Sequence, residues 1–425
     1  MKKTIGFITL GCRLNIFESD GLASSMQKEG FEVVSPSLKP EIIVINTCTV
    51  TNKADSKNRN IIRKAIRDNP SSQVWVTGCY AQTDKEAIQS IPGVKGVIGN
   101  DEKASLPYKI LENYGNNNSK EPGIFDRFAY SNVLPNNHTR AYLKVQDGCN
   151  RKCSYCKIPS ARGGGVSRNF EDVLAQIKFL QENGIAEIIL TGVNLGWYRD
   201  NQKKFHQLLE AILNCLTYSR LRLSSIEPTD VDISLANSMQ HPRFCNYLHV
   251  PLQSGSNKIL KKMHRNYRIE SYVKRISIIK KCNPNVFLGT DVITGFPGET
   301  KEDFKETLYV LKSLEIAKIH AFPFSPRLGT EAATLKNTVS PEEKKERINI
   351  LQKLSLNQSY VYGLKQIGKN FESVLENNGV CTTDNFLKVK VNAESRTDLK
   401  VGQFLNVKIS DIHKTDKEVF FSGTI

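Results

Sequence analysis

Ala141-Tyr-Leu-Lys-Val-Gln-Asp-Gly-Cys149-Asn-Arg-Lys-Cys153-Ser-Tyr-Cys156 is the stretch on which the reading of this chain turns. Ala141–Val145 reads as a β-strand, and a C-x3-C-x2-C triplet follows it at once. A four-iron cubane needs four ligands, and electron carriers usually supply four cysteines. A local set of three leaves one iron open to a small molecule, as an open position separates catalytic from structural zinc. The bland alternative is a zinc knuckle that borrows a fourth ligand, and no fitting His or Cys lies nearby in sequence.

Working outward, strands and helices alternate from Arg140 onward. Strands are expected at Ala141–Val145, Glu187–Thr191, Leu221–Ser225, Tyr247–Val250, Val286–Asp291 and Lys318–Phe322. Helices are expected between them, at Phe170–Glu182, Lys204–Cys215, Glu270–Lys281 and Lys301–Leu314. Six such units fit a partial or full parallel barrel. Pro341–Tyr362 reads as a long helix with proline near its start.

The first ~100 residues alternate in the same way, which is an α/β pattern with an open parallel sheet. Strands are expected at Thr4–Leu10, Glu41–Asn46, Gln73–Thr77 and Val94–Ile98, and helices at Asn15–Glu29, Ser56–Arg67 and Asp84–Ser90. Cys12, Cys48 and Cys79 each follow one of these strands. Loops after the strands of such a sheet line one crevice, so the three can converge on one ligand. Helix N-termini beside them favour an anionic group. The bland alternative is three buried small side chains. Asn113–Lys120 and Asn132–His138 read as a linker. After residue 366 helical periodicity disappears, and short strands at Phe371–Glu376, Phe386–Val391, Phe404–Ile409 and Glu418–Ser422 suggest a small antiparallel barrel. The expected division is therefore 1–112, a linker 113–138, 139–365 and 366–425.

Net charge is +16, unevenly spread. Residues 1–138 carry 17 basic against 14 acidic side chains, residues 139–365 carry 34 against 21, and residues 366–425 carry 8 of each. The excess sits in the middle, which suits a polyanionic partner or a plain basic surface. Ten cysteines in a chain of 425 residues with no export signal point to metal binding or catalysis. The N-terminal apolar run is about seven residues and reads as a strand, not a signal peptide. No stretch approaches the ~18 apolar residues of a membrane span. A cytoplasmic location is expected.

TLGCRLN, VINTCTVTNKADSKNR, TGCYAQ, DGCNRKCSYCKIPSARG, LTGVNLG, HVPLQSGS and ITGFPGET follow one another along essentially the whole chain. In this order they resemble the radical S-adenosylmethionine methylthiotransferases. Gly11–Asn15 and Asn46–Asn52 look most like the subgroup acting on N6-threonylcarbamoyladenosine of tRNA, and residues 366–425 are similar to the RNA-binding TRAM barrel. The resemblance implies two four-iron clusters, one held by Cys12, Cys48 and Cys79, the other by Cys149, Cys153 and Cys156. It implies S-adenosylmethionine contacts at Thr191, Gly192, Asn194, Ser225, Glu227, Gln253, Asp291 and Gly295, with no catalytic residue beyond the cluster ligands. Leu190–Asn194 stands where the superfamily often has a Gly-Gly-Glu segment, and the acid is missing here.

Further expectations are that tRNA is the substrate and that an external electron donor serves the clusters. No membrane and no obligate protein partner is expected. Glu227 is read either as an acceptor for ribose hydroxyls or as a solvated turn residue. Arg162 and Arg168 either neutralise cofactor or RNA charge or belong to a solvated loop. Cys215, Cys245, Cys282 and Cys381 are read as structural, and His249 as lining the barrel mouth. The same chemistry on isopentenyladenosine or on a ribosomal protein is one rival. An iron–sulfur electron carrier with an RNA-binding tail is another.

Overall fold

The computed structural model describes residues 3–49, 51–114, 126–136, 138–391 and 399–425. The N-terminal region interleaves strands and helices: β1 (Thr4–Thr9), α1 (Arg13–Lys28), β2 (Glu32–Val33), β3 (Ile42–Thr47), α2 (Asn52–Asp68), β4 (Gln73–Gly78), α3 (Cys79–Thr83), α4 (Lys85–Gln89), β5 (Val94–Ile98) and α5 (Leu106–Asn113). The strands form one parallel sheet in the order β2-β1-β3-β4-β5. β3 is buried along its whole length, as a central strand covered on both faces must be, with Ile42–Ile45 apolar and the polar Asn46 and Thr47 at its end hydrogen-bonded. The Thr51 side chain caps α2 by accepting from Ala54 N. The two-residue edge strand β2 and helix α5 were not expected from the sequence. β2 is too short to show a period, and α5 borders the polar run from Asn113.

Residues 115–125 and 137 of the expected linker lie outside the described residues. The described portion of 126–138 is strapped down instead of loose. Arg127 pairs with Asp101 at 3.0 Å, Gln176 brackets Val133 through both its N–H and its C=O, and His138 meets Asp20 at 2.9 Å.

The central region carries six parallel strands in chain order: β6 (Ala141–Lys144), β9 (Glu187–Thr191), β12 (Arg220–Leu223), β13 (Tyr247–His249), β14 (Phe287–Thr294) and β15 (Lys318–Pro323). They fall into two three-stranded sheets, β6-β9-β12 and β13-β14-β15, bridged between Leu221 and Phe244. The result is a partial barrel. α6 (Ile158–Arg162) packs against α3 of the N-terminal region, and helices α7 (Phe170–Glu182), α8 (Phe205–Cys215), α9 (Ile233–Ser238), α10 (Asn257–Lys262), α11 (Ile269–Cys282) and α12 (Lys301–Ser313) surround the barrel. Asn169 caps α7, and Thr300 with Asp303 forms a capping box at α12. Two short ribbons, β7 (Gln146–Asp147) with β8 (Val166–Ser167) and β10 (Arg199–Asp200) with β11 (Lys203–Lys204), decorate the loops. One apolar core runs from Phe17 and Met26 in the N-terminal region through Leu143, Ile188 and Leu288 in the barrel.

Helix α13 (Pro341–Leu364) leads to a closed five-stranded barrel of β16 (Asn370–Leu375), β17 (Val380–Thr383), β18 (Lys388–Val391), β19 (Phe404–Lys414) and β20 (Val419–Thr424). The all-antiparallel expectation needs one correction, because β18 and β20 pair in parallel to close the barrel. β17 was missed because VCTT is only four residues between turn residues. This barrel is bolted to the larger one. Arg220 donates to Glu372 O and Thr382 O, and Arg222 donates to Asp384 O and Thr383 O, all within 3.0 Å. Both arginines also share fully buried Glu187, and Tyr247, Phe287 and Ala317 belong to the small barrel's core. Deleting residues 366–425 would expose two of these rings, at a cost of roughly 1.5–3 kcal/mol each. The truncated chain is therefore expected to melt well below the full chain. Equal thermal transitions would show that the small barrel is an independent appendage.

Candidate functional site

Two groups of cysteines stand at two strand-end crevices. In the N-terminal sheet β1, β3 and β4 are neighbours, and Cys12, Cys48 and Cys79 follow their C-terminal ends. Gly11, at φ +96°, lets the chain turn there, and a Cβ on it would lie 2.6 Å from Cys48 Sγ. Cys48 thus packs against the residue preceding Cys12. Cys12 is exposed, whereas Cys48 and Cys79 are buried. Asn100 donates to Cys79 Sγ at 3.5 Å and to Ala161 O at 2.7 Å, so one amide ties this thiol to the barrel. The loop after Cys48 is pinned from the barrel side by Arg327, which pairs with Asp55 at 2.8 Å and donates to Thr49 O at 3.0 Å.

The second triplet occupies the loop after β6 and β7. Gly148, at φ +70°, starts it, and a side chain there would collide with Gly164 O. Cys149 N donates to Gly163 O at 3.0 Å, closing the loop. Each thiol meets an N–H donor: Arg151 N to Cys149 Sγ at 3.4 Å, Arg265 Nη1 to Cys153 Sγ at 3.4 Å, and Ile158 N to Cys156 Sγ at 3.5 Å. Burial pushes the Cys156 thiol up to about 12 and raises Cys149 as well. Thiolates in this loop therefore call for a cation, and the donors at each sulfur suit an anionic cluster.

Between the two triplets lies a buried charge network. Arg162, six residues after Cys156, is 2% exposed. It donates to Glu18 and Asp147 at 2.9 Å each and to Asn15 Oδ1 at 2.6 Å. Lys144 meets Glu18 at 2.9 Å and Asp147 at 3.0 Å, and Lys103 also pairs with Glu18. Burial alone would raise the Glu18 carboxyl, but Arg162, Lys103 and Lys144 outweigh it and hold it well below the usual range. Three cations face two carboxylates in this network. The Arg162 charge also acts on Cys12 and Cys79, where thiolates would balance the excess. The solvated-loop reading of Arg162 and Arg168 is thus overturned, since both are buried.

The residues expected to contact S-adenosylmethionine gather at the C-terminal ends of barrel strands. Thr191 Oγ1, both amide atoms of Asn194 and Ser224 Oγ are buried without hydrogen-bond partners. Such orphaned polar atoms mark a place where a polar ligand is missing. Gly192 packs beside Gln146, whose Oε1 accepts from Asn194 N at 2.7 Å. Ser225 is half-buried next to Ser224. Glu227 is not a solvated turn residue. Its carboxylate pairs with Arg265 and lies 3.9 Å from Arg151. Gln253, at φ +62°, bridges to Val292 beside Asp291, and Asp291 is held by His249 Nε2 at 3.0 Å. Gly295 departs from the expected ligand approach, because the Lys344 side chain lies across it. Arg265 and Arg151 were missed in sequence. Their signal was the acid-free basic run Lys258–Arg268 and the arginine inside the cysteine triplet. Cys245 and Cys381 are fully buried, and Cys215 and Cys282 pack against the core.

Among the described residues no three of His, Cys, Asp and Glu close on a single-ion site. A four-iron cluster places its thiolates on separate irons, farther apart than the ligands of one ion. Donor chemistry, sulfur-directed N–H groups and orphaned polar atoms at the barrel mouth fit such a cluster and its small-molecule ligand.

A parallel N-terminal sheet and a partial β/α barrel, each ending in a cysteine triplet, define the class. Residues 143–310 match the Radical SAM superfamily, and residues 4–99 match the family described as UPF0004. The chain is 36% identical to the threonylcarbamoyladenosine tRNA methylthiotransferase MtaB of Bacillus subtilis, covering 96% of this chain and 93% of that protein. Its counterpart in Aquifex aeolicus is 36% identical over 91% and 96%. A tRNA-2-methylthio-N(6)-dimethylallyladenosine synthase of Sulfurihydrogenibium is 34% identical over 96% and 97%. Among solved structures, the radical S-adenosylmethionine methyltransferase TsrM of Kitasatospora setae shares the fold at TM-score 0.57 and 15% identity, covering 78% of this chain and 77% of that one. The chain belongs to the radical S-adenosylmethionine methylthiotransferase family.

Proposed function

We propose that the chain methylthiolates C2 of N6-threonylcarbamoyladenosine at position 37, beside the anticodon of tRNA. The observation that carries this reading is the near-full-length likeness to relatives named for that activity, in a chain with both cysteine triplets at strand-end crevices. Cys149, Cys153 and Cys156 hold the cluster that binds S-adenosylmethionine, and Cys12, Cys48 and Cys79 hold the one that provides sulfur. When bound there, the first cluster would supply one-electron reduction of S-adenosylmethionine, with the electron coming from an external donor. The chain's own contribution is placement. Thr191, Asn194 and Ser224 offer unpaired polar atoms to S-adenosylmethionine, and the Arg151–Glu227–Arg265 set walls its cluster.

A basic groove of about 800 Å³ lies beside the Cys149–Cys156 loop, lined by Lys258, Lys261, Lys262 and Lys336. It supports a role for the central region in holding RNA phosphates. The division into an N-terminal domain (residues 1–112), a radical domain (residues 139–365) and a TRAM-like domain (residues 366–425) goes with this reading, as does a cytoplasmic location. Among the described residues no helix is long and apolar enough to cross a membrane. Action on dimethylallyladenosine is the second reading, since a relative of that name is 34% identical. Mass spectrometry of tRNA nucleosides from a deletion strain decides between them. The methylthio form of N6-threonylcarbamoyladenosine should vanish while its unmodified parent accumulates. Loss of the methylthio group from the dimethylallyl nucleoside instead would move the assignment.

A further inference from the structure

Strand alternation divides β13, β14 and β15 into two faces. Leu248, Leu288, Val292 and Ile319 pack outward into the main core. By the register of the three strands, Tyr247, His249, Asp291, His320 and Phe322 face the other way, into the barrel. His249 and Asp291 are joined, and the Tyr247 hydroxyl lies 3.5 Å from His249 Nδ1. His320 is exposed, and Phe322 is 46% exposed. An inner barrel face that stays open to water is space kept for a ligand.

Arg13 enters this space from the N-terminal region, directly after Cys12. Its guanidinium reaches Tyr247, and its charge acts on His320. Its Nη1 is buried without a hydrogen-bond partner, and among the described residues Arg13 enters no ion pair. The acid on this face, Asp291, is already engaged by His249. A buried guanidinium N–H without an acceptor is costly and asks for one.

We propose that Arg13 is the specificity-determining residue that binds the carboxylate of the threonyl group on the substrate nucleoside. This rests on the reading of the substrate as N6-threonylcarbamoyladenosine. That group ends in a free carboxylate, and a planar guanidinium matches a carboxylate through paired hydrogen bonds. A dimethylallyl group is pure hydrocarbon and would leave Arg13 Nη1 buried without an acceptor. Sites built around a buried polar group reject analogues that lack its partner. The residue that follows a cluster ligand thereby also selects the nucleoside, with Phe322 offering an apolar surface on the same face.

The test uses the full chain with both clusters and two anticodon stem-loop RNAs. One carries N6-threonylcarbamoyladenosine, the other its methyl ester, which removes the charge and little else. The parent should show kcat/KM about ten- to a hundredfold higher for the acid than for the ester, with a matching difference in Kd by fluorescence anisotropy. Arg13→Gln should erase that difference by lowering only the acid value, and Arg13→Lys should restore part of it. A parent that handles acid and ester alike overturns the proposal without any variant having to fold. So does an Arg13→Gln protein, folded and with the parent's iron content, that keeps the parent's ratio. A parent that modifies neither RNA but accepts the dimethylallyl stem-loop would refute the substrate reading itself.

Discussion

Protein carrying Cys48→Ala, reconstituted without oxygen, is expected to hold about four irons where the parent holds about eight. With dithionite it should still cleave S-adenosylmethionine to 5′-deoxyadenosine, yet leave tRNA without its methylthio group. The ligands of the two proposed clusters come from separate sheets. Cys48 follows β3 of the N-terminal sheet, while Cys149, Cys153 and Cys156 share one loop after β6 and β7. Cys153→Ala should show the reverse pattern of damage, with no 5′-deoxyadenosine and no methylthiolation. Loss of a ligand can unfold a metal-dependent region, so a thermal transition like the parent's is the necessary control. A folded Cys48→Ala protein that methylthiolates at the parent rate would refute the role given to Cys12, Cys48 and Cys79. Loss of radical formation as well would place Cys48 on the electron path.

Arg162→Met should be the most destabilising single change outside the cysteines. The side chain is almost wholly buried and satisfies Glu18, Asp147 and Asn15 together. Breaking a buried ion pair from one side costs about 3–5 kcal/mol, because the partner charges stay behind. The sign of the pH dependence follows from the carboxylates. Burial works against their ionisation, but Arg162 with the lysines keeps both Glu18 and Asp147 below their usual range. Their stabilisation is present above the unfolded carboxylate pKa and is lost as pH falls through the depressed folded values. Without Arg162 those folded values rise, so acid unfolding should begin at a higher pH than in the parent. Urea unfolding across that acid range measures both effects. Arg162→Lys, which keeps the charge but not the fork, should fall between the two. Equal urea midpoints for parent and Arg162→Met would mean that Lys103 and Lys144 suffice and that the network does not depend on Arg162.

Local sequence patterns were enough to find most of the longer elements and to place the two cysteine triplets at strand ends. Strand Glu187–Thr191 and helix Phe170–Glu182 match their expected bounds because apolar runs and amphipathic periods are local signals. Cysteines standing directly after strands were legible for the same reason, since parallel topology sends such positions to one edge. What lies between the triplets came from tertiary packing alone. Glu18, Lys103, Lys144, Asp147 and Arg162 come from five separate elements and loops, and each alone reads as a surface charge. Their burial follows from packing α1 against β6, which no local pattern announces. The parallel closure of β18 on β20 is likewise a property of the whole barrel and not of either strand. Arg13 was in plain view within the Gly11–Asn15 motif, but its reach to the inner face of β13 and β15 exists only once the two halves are docked. Periodicity fixes which face a residue takes within its own element. Which charges are shut away from water together, and which of them is left without a partner, is settled by contacts between residues far apart in the chain.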